Sequence, residues 1–154
     1  MMVKTQSETT VRRAGCPEEV AALDLFRTSD LLSRAGAQLL KSEDLSPTQY
    51  NVLRILRGAP GGLPCGEIAS RMITRDPDIT RLLDRLSKRG LIGRRRESKD
   101  RRVVLTRITP AGLEVLARLD DPMLQTHRKQ LGHLGAERLK QLAELLERVR
   151  SRII

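Results

Sequence analysis

The sequence between Arg75 and Thr109 joins a short capped helix to a basic hairpin, and this order restricts the fold more than any other feature. In Asp76-Pro77 the acid can cap a helix and the proline can open it, and Gly90 can end it. Another short helix, predicted over residues 64–72, precedes this one. Two short helices joined by a tight connector predict a helix-turn-helix. The apolar face of the second helix is predicted to contain Ile79, Leu82, Leu83 and Leu86.

After these helices come the only residues for which we predict strands. Residues 91–96 predict an outgoing strand, the polar residues 97–100 predict a turn, and β-branched Val103, Val104 and Ile108 predict a returning strand. The product is a β-wing, whose charged strands resist edge pairing and can lie along a phosphate backbone.

Positive charge is concentrated in the same part of the chain. Residues 71–107 contain thirteen Lys or Arg and five Asp or Glu, a net of +8, against +10 for the whole chain. Such a cluster attracts a polyanion because it releases condensed counterions, although a solvated face or an anionic membrane is an alternative on charge alone. With only Phe26 and Tyr50 as aromatic residues, the chain lacks a platform for stacking single-stranded bases, which favours a duplex.

Two helices are predicted before the helix-turn-helix. From Pro17, apolar residues recur at alternating spacings of four and three, and further apolar residues outside this stripe predict a helix covered from more than one side. The next helix has a predicted capping box, with Ser46 as the cap, Pro47 at the first helical position and Gln49 completing the box.

Two further helices are predicted after the wing. Thr109-Pro110 opens the first of them, with Leu113, Leu116 and Leu119 inward and a kink expected near residues 120–122, because Pro122 removes a helical donor. The last begins near residue 136 and has apolar residues in a four-and-three pattern. One interpretation of this apolar pattern is packing within a single chain, and the other is a dimer interface. Three flanking helices around so small a central domain favour the dimer.

The predicted fold is therefore mostly α with a small β-wing: a winged helix-turn-helix flanked by N- and C-terminal dimerisation helices. We assign residues 1–16 to a flexible arm, 17–44 to the first dimerisation helix, 45–109 to the DNA-binding domain and 110–154 to the C-terminal dimerisation helices. No apolar run approaches the length of a membrane span and no signal peptide is recognisable, so a cytoplasmic location is expected.

Catalysis is not expected, because the sequence has no Gly-rich phosphate loop, no metal-ligand spacing and no nucleophile with a matching base. No cofactor or metal ion is predicted. Cys16 and Cys65 have no CxxC spacing and are interpreted as ordinary thiols.

The segments ITRLLDRLSKRGLIGR and KDRRVVLTRITPAG resemble the recognition helix, wing and following helix start of the multiple-antibiotic-resistance regulator (MarR) family of bacterial winged-helix repressors. The resemblance extends from about Val20 to the C-terminus and is sharpest over residues 79–112. It implies a homodimer with interlocked terminal helices. Its two recognition helices would enter successive major grooves of a pseudo-palindromic site, with the wings at the flanking minor grooves.

The resemblance also implies roles for individual residues. Asp100 would orient Arg102, and Arg102 would enter the minor groove, where negative potential is concentrated. Thr80, Arg81 and Arg85 lie off the predicted apolar face and are candidates for contacts with base edges or with phosphates. The other wing residues expected to supply charge are Arg94, Arg95, Arg96, Lys99 and Arg101.

Many relatives release DNA when a small phenolic or aromatic acid enters a pocket between the dimer helices and the DNA-reading domain. Phe26, Tyr50 and His127 can border such a pocket here, although each is more simply a core or surface residue. Some relatives sense oxidants through a cysteine near the first helix. Cys16 is close to that position but lacks neighbouring tyrosines, so redox sensing is disfavoured.

The predicted function is that of a sequence-specific regulator of transcription that binds double-stranded DNA, as a ligand-responsive repressor. One alternative is a winged-helix module for protein interaction, since a fold does not dictate a function. The +8 cluster argues against it, because protein interfaces tend to exclude uncompensated charge. The other alternative, an architectural DNA protein, would bind without sequence preference.

Overall fold

The computed structural model describes residues 15–96 and 102–153. Most of the predicted arm and the predicted turn of the wing lie outside the described residues. The chain divides into two compact units, residues 1–33 and 34–154. Helix α1 contributes to both.

The described elements are mostly helical, with one small antiparallel sheet, which confirms the predicted fold class. In chain order they are α1 (Pro17–Leu40), a 3-10 turn (Lys41–Glu43), α2 (Pro47–Arg57), β1 (Leu63–Pro64), α3 (Cys65–Arg71), α4 (Ile79–Lys88), β2 (Ile92–Arg96), β3 (Val104–Ile108), α5 (Pro110–Leu131), a second 3-10 turn (Gly132–Leu134) and α6 (Gly135–Ile153).

The start of α2 has the predicted capping box. The backbone N–H of Gln49 donates to the Ser46 hydroxyl over 3.1 Å, and Gln49 Oε1 accepts from the Ser46 N–H over 3.0 Å. Pro47 occupies the first turn, where its missing donor costs nothing. The box fixes where α2 begins and so sets its buried face, Val52, Leu53 and Leu56, toward the core.

The sheet has a strand that the sequence analysis did not predict. β1 pairs with β3, with Leu63 opposite Thr106, and the strand order is β1-β3-β2. Arg107 Nε donates to the carbonyl oxygen of Gly61 over 2.8 Å and holds the loop before β1 against β3. The prediction that strands occur only after Gly90 was therefore wrong. A strand of two residues is too short to show the alternation of apolar and polar residues by which strands are predicted.

The hydrophobic core of residues 34–154 is formed by α2, α3, α4, α5 and the sheet. Its most deeply buried apolar side chains are Val52, Leu53, Leu56, Ile68, Leu83, Leu86, Leu116 and Leu119. All are aliphatic, and burial of each contributes about 2 kcal/mol to folding. The core therefore holds the two helices of the helix-turn-helix and the sheet in one block.

Helix α5 buries two of its three predicted inward leucines, Leu116 and Leu119, but not Leu113. Val115, Leu116, Leu119 and Met123 are buried, whereas Leu113 is 42% exposed. At about 100° per residue, Leu113 lies roughly a quarter turn from the centre of the buried face. The inward placement of Leu113 was therefore wrong. The helix is continuous through Pro122, and the predicted kink stays a prediction.

Apolar side chains remain exposed on the flanking helices of the single chain. Within residues 17–33 of α1 they include Val20, Leu23, Leu25, Phe26 and Leu31. On α6 they are Leu142, Leu145, Val149 and Ile153, and none of the residues of this helix, all of which are described, is buried. The sequence predicted a first helix that is covered from more than one side. Residues 17–33 do not have this cover within the first unit, because every one of them except Leu32 is exposed.

Candidate nucleic-acid interface

The recognition helix α4 begins two residues later than predicted. Asp78, not Asp76, is its cap, and Asp78 Oδ1 accepts from the backbone N–H of Arg81 over 3.1 Å. Asp76 Oδ1 instead accepts from the Asp78 N–H over 2.8 Å and shapes the connector before the helix. Both acids can cap, and the sequence around Pro77 does not discriminate between them.

The two faces of α4 separate as the sequence predicted. Leu82, Leu83 and Leu86 are buried and Ile79 packs partly against the core. The three predicted DNA-contacting residues, Thr80, Arg81 and Arg85, are all exposed. Burial of the aliphatic face fixes the rotation of α4 and thereby directs these three side chains to solvent.

An open groove of about 840 Å³, which we call the basic groove, lies between the start of α2 and α4. Its charged lining residues are Lys41, Arg81, Arg85, Lys88 and Arg89, with Asp44, Asp76 and Asp78. Lys41 and Arg89 were not predicted from the sequence as members of this surface. No local pattern relates Lys41 to Arg81, because the two residues are 40 positions apart and only the fold brings them to one groove.

The wing strands pair in a continuous register, with Arg94 opposite Thr106 and Arg96 opposite Val104. Arg95 and Arg96 are exposed. Arg94 is also exposed, but it forms an ion pair with the recognition helix, because its Nη1 lies 2.8 Å from Asp84 Oδ1 on α4. This ion pair ties the wing to the recognition helix.

Arg102 is exposed at the start of the returning half of the wing. Its predicted partner Asp100 lies outside the described residues, as do Lys99 and Arg101. Their DNA-contacting roles stay predictions.

The beginning of α5 is attached directly to the end of the recognition helix. The Thr109 hydroxyl donates to the Gly90 carbonyl oxygen over 2.6 Å and accepts from the Gly112 N–H over 3.2 Å. The Thr109 N–H donates to the Leu91 carbonyl oxygen over 3.1 Å. Gly112 is buried at this junction, and a Cβ there would lie 2.3 Å from the Leu91 carbonyl oxygen. Gly112 in this Thr-Pro-Ala-Gly sequence therefore allows the backbone at the start of α5 to approach the backbone of Leu91 closely.

Charged contacts also connect α4 and α5 through the turn after α1. Arg89 donates from Nη2 to the Glu43 carbonyl oxygen over 2.8 Å and from Nη1 to that of Asp44 over 2.5 Å. The Glu43 carboxylate accepts from Arg118 Nε and Nη2 over 2.8 and 2.9 Å. These hydrogen bonds lower the pKa of Glu43 below its usual value and raise that of Arg118.

The predicted effector-pocket residues lie in different settings. Phe26 is 72% exposed in the first unit. In the second unit, Tyr50 is half-buried with the Arg54 guanidinium carbon 5.8 Å from its ring centroid, and His127 is exposed on α5. Neither Tyr50 nor His127 lines the basic groove. The effector pocket stays a prediction.

We find neither a metal site nor a membrane-spanning helix in the described part of the chain. Over residues 15–96 and 102–153, no three His, Cys, Asp or Glu side chains come together in a way that could hold a metal ion. Cys16 is exposed and Cys65 is half-buried, both as free thiols. No helix among the described residues is long and apolar enough to cross a membrane.

Comparison with known proteins places this geometry in a family. Residues 45–104 match the model of the MarR family. A MarR transcription factor from Planctomyces limnophilus is 42% identical, with 88% of this chain and 98% of that chain covered and a TM-score of 0.65. The transcriptional repressor CouR, solved bound to a 23-mer DNA duplex, is 27% identical, with 90% and 97% covered and a TM-score of 0.78.

A curated relative gives the same result by sequence. The homoprotocatechuate degradative operon repressor of Escherichia coli is 27% identical over 109 residues, which cover 71% of this chain and 73% of that protein. The chain therefore belongs to the MarR family of transcriptional regulators.

Proposed function

We propose that the chain is a repressor that binds a pseudo-palindromic operator in double-stranded DNA as a homodimer. One observation carries the proposal: α4 buries one face and exposes Thr80, Arg81 and Arg85, of which the two arginines line the basic groove. A helix of this kind fits the major groove, where Arg reads guanine through O6 and N7. The DNA-bound relative CouR supports the choice of a duplex as partner.

In the proposed complex the wing works beside the recognition helix. The Arg94 to Asp84 ion pair holds the first wing strand on α4, and Arg96 then lies further along the same strand. Arg102 stands at the start of the return and enters the minor groove, with Asp100 as its orienting partner. Lys99 and Arg101 add charge near the phosphates.

Substitution of Arg102 tests this role of the wing. Arg102→Ala is expected to weaken operator binding about 10-fold, because one arginine contact in a groove contributes about 1–3 kcal/mol. Fluorescence anisotropy at a fixed salt concentration measures the loss. Arg150→Ala removes the same charge from the last turn of α6 and serves as the control. Equal affinities for the Arg102 and Arg150 variants would contradict the assignment.

The homodimer is supported by the apolar faces that the single chain leaves exposed. On α6, Leu142, Leu145 and Val149 follow one another at spacings of three and four and so share a side of the helix. On α1, apolar residues between Val20 and Leu31 are exposed in the first unit. Faces of this kind on terminal helices fit a closed two-fold interface.

Leu145→Glu on this face is expected to shift the protein from dimer to monomer. The dissociation constant should rise about 100-fold, because a two-fold interface contains the substitution twice and each copy forfeits the burial of a leucine. Sedimentation equilibrium measures the constant. Lys140→Glu, on the opposite side of α6, should leave it unchanged. A monomeric parent protein, or equal behaviour of both variants, would count against the dimer.

We also propose that a small aromatic or phenolic acid relieves repression in the cytoplasm. The name of the Escherichia coli relative, a repressor of an operon for homoprotocatechuate degradation, supports an aromatic acid as the class to screen. Phe26, Tyr50 and His127 are the residues proposed to border its pocket. Footprinting with and without candidate acids tests the proposal, and protection that no acid alters would argue for an effector-independent regulator.

A further inference from the structure

The turn between α1 and α2 is joined at once to the recognition helix and to α5. It consists of Lys41–Glu43 followed by Asp44, which has a φ of 51° and is the one residue other than glycine with a positive φ among residues 15–96 and 102–153. Leu40 and Leu45 are buried on either side of it, and the Leu45 N–H donates to the Leu40 carbonyl oxygen over 3.1 Å. The turn is thus anchored to the core at both ends.

The end of α4 is attached to the backbone of this turn. Arg89, the C-cap of α4, donates through two nitrogens to two consecutive carbonyl oxygens, those of Glu43 and Asp44. A planar guanidinium held by two acceptors has its orientation fixed, unlike one held by a single hydrogen bond. The two hydrogen bonds therefore attach the C-terminal end of the recognition helix to the turn, in addition to the packing of its leucines in the core.

The side chain of Glu43 attaches the same turn to α5. Its two carboxylate oxygens accept from Nε and Nη2 of Arg118 in a bidentate pair, and the Glu43 side chain is only 19% exposed. Two residues along α5, Asp120 accepts from Arg57 Nη1 over 2.9 and 2.8 Å. Buried Leu119 lies between these two ion pairs. Together the pairs restrict rotation of α5 about its own axis against α2 and the turn.

We propose that Glu43 is a positioning residue that sets the spacing of the DNA half-sites. The contacts run from Arg118 on α5 through Glu43 to Arg89 on α4, so they link α4 to the first of the two proposed C-terminal dimerisation helices. This inference rests on the proposed homodimer on a two-part operator. In such a dimer, a change in the angle between α5 and α4 alters the separation of the two recognition helices, and the spacing of half-sites must match that separation.

The experiment compares operators that differ only in the number of base pairs between their half-sites. The parent protein, Glu43→Gln, Arg118→Gln and Arg118→Lys are titrated against the natural spacing and against one inserted or one deleted base pair. The result for each protein is the ratio of its affinities for the natural and altered spacings. Because every ratio is taken within one protein, the uniform effect of a changed net charge on DNA affinity cancels.

The parent is expected to prefer the natural spacing, and Glu43→Gln and Arg118→Gln are expected to reduce that preference about 5-fold, a size common for networks of contacts. Arg118→Lys keeps the charge but loses the bidentate geometry and is expected to reduce it by a smaller factor. Glu144→Gln, which removes an exposed carboxylate from α6, is the control. Circular dichroism confirms that each variant is folded, and three variants on two residues guard against the failure of one.

One result would overturn the inference: an unchanged preference in folded Glu43→Gln and Arg118→Gln. It would do so whether affinity stayed the same or fell uniformly at every spacing, since a merely structural role gives a uniform fall. A parent protein that bound no two-part operator at all would instead refute the proposed function, so the two failures are distinguishable.

Discussion

Gly112→Ala is expected to lower the free energy of unfolding by about 2–3 kcal/mol, although alanine is the better helix former by about 1 kcal/mol. The added Cβ would lie 2.3 Å from the Leu91 carbonyl oxygen and 2.7 Å from Ile108 Cγ1. The carbonyl is held in place because it accepts from the Thr109 N–H. Relief of the overlap must therefore separate the start of α5 from the end of the recognition helix.

Urea denaturation followed by circular dichroism measures this loss. Gly132→Ala is the matched control, because Gly132 ends the same helix with helical dihedral angles and its Cβ would meet nothing within 4 Å. The control should be unchanged or more stable by up to about 1 kcal/mol. If Gly112→Ala were as stable as the parent, the close approach at this junction would not exist in the folded protein.

The double substitution Arg81→Ala, Arg85→Ala is expected to weaken binding to the operator by at least about 100-fold. Each arginine lines the basic groove on the exposed face of α4, and each contact with a base contributes about 1–3 kcal/mol. The loss should be larger for the operator than for scrambled DNA, because base contacts exist only in the specific complex.

Anisotropy titrations of both duplexes at one salt concentration separate specificity from charge. The control is Arg128→Ala, Lys140→Ala, which removes two exposed positive charges from α5 and from the side of α6 opposite the proposed dimer face. An equal loss on operator and scrambled DNA would mean that Arg81 and Arg85 contact phosphates alone. A loss matched by the control would mean that only net charge matters.

Local signals in the sequence were sufficient for much of the fold. The Ser46 and Gln49 capping box is a pattern of adjacent residues, and its hydrogen bonds form as predicted. The leucines of α4 recur with helical spacing and are buried, which leaves Arg81 and Arg85 exposed. Elements that depend on neighbouring residues are predictable because the physics that forms them is local.

Features that depend on long-range contacts were not predictable. β1 exists because Leu63 lies opposite Thr106, a partner 43 positions away. The exposure of Leu113 depends on which side of α5 meets the core. Arg94 was predicted only as wing charge, and its ion pair with Asp84 requires the wing to fold back on α4.

The contacts around Glu43 illustrate the same limit within the candidate site. Arg89 and Arg118 lie 46 and 75 positions from Glu43 in the sequence. No local pattern indicates that either arginine contacts Glu43. Their arrangement becomes visible only when α4, α5 and the turn after α1 are placed in one unit. The exposed side chains of α4 could be predicted from the sequence, whereas the contacts between α4, α5 and the turn could not.

The central claim is that this regulator recognises a particular DNA sequence through paired recognition helices. It is tested most directly by titrating the protein against the DNA upstream of its own gene and against a scrambled duplex, at one salt concentration, with footprinting of the complex. We predict an affinity ratio of at least about 1,000 and two protected half-sites with centres about one helical turn apart. Equal affinities for the two duplexes, with no defined footprint, would contradict it.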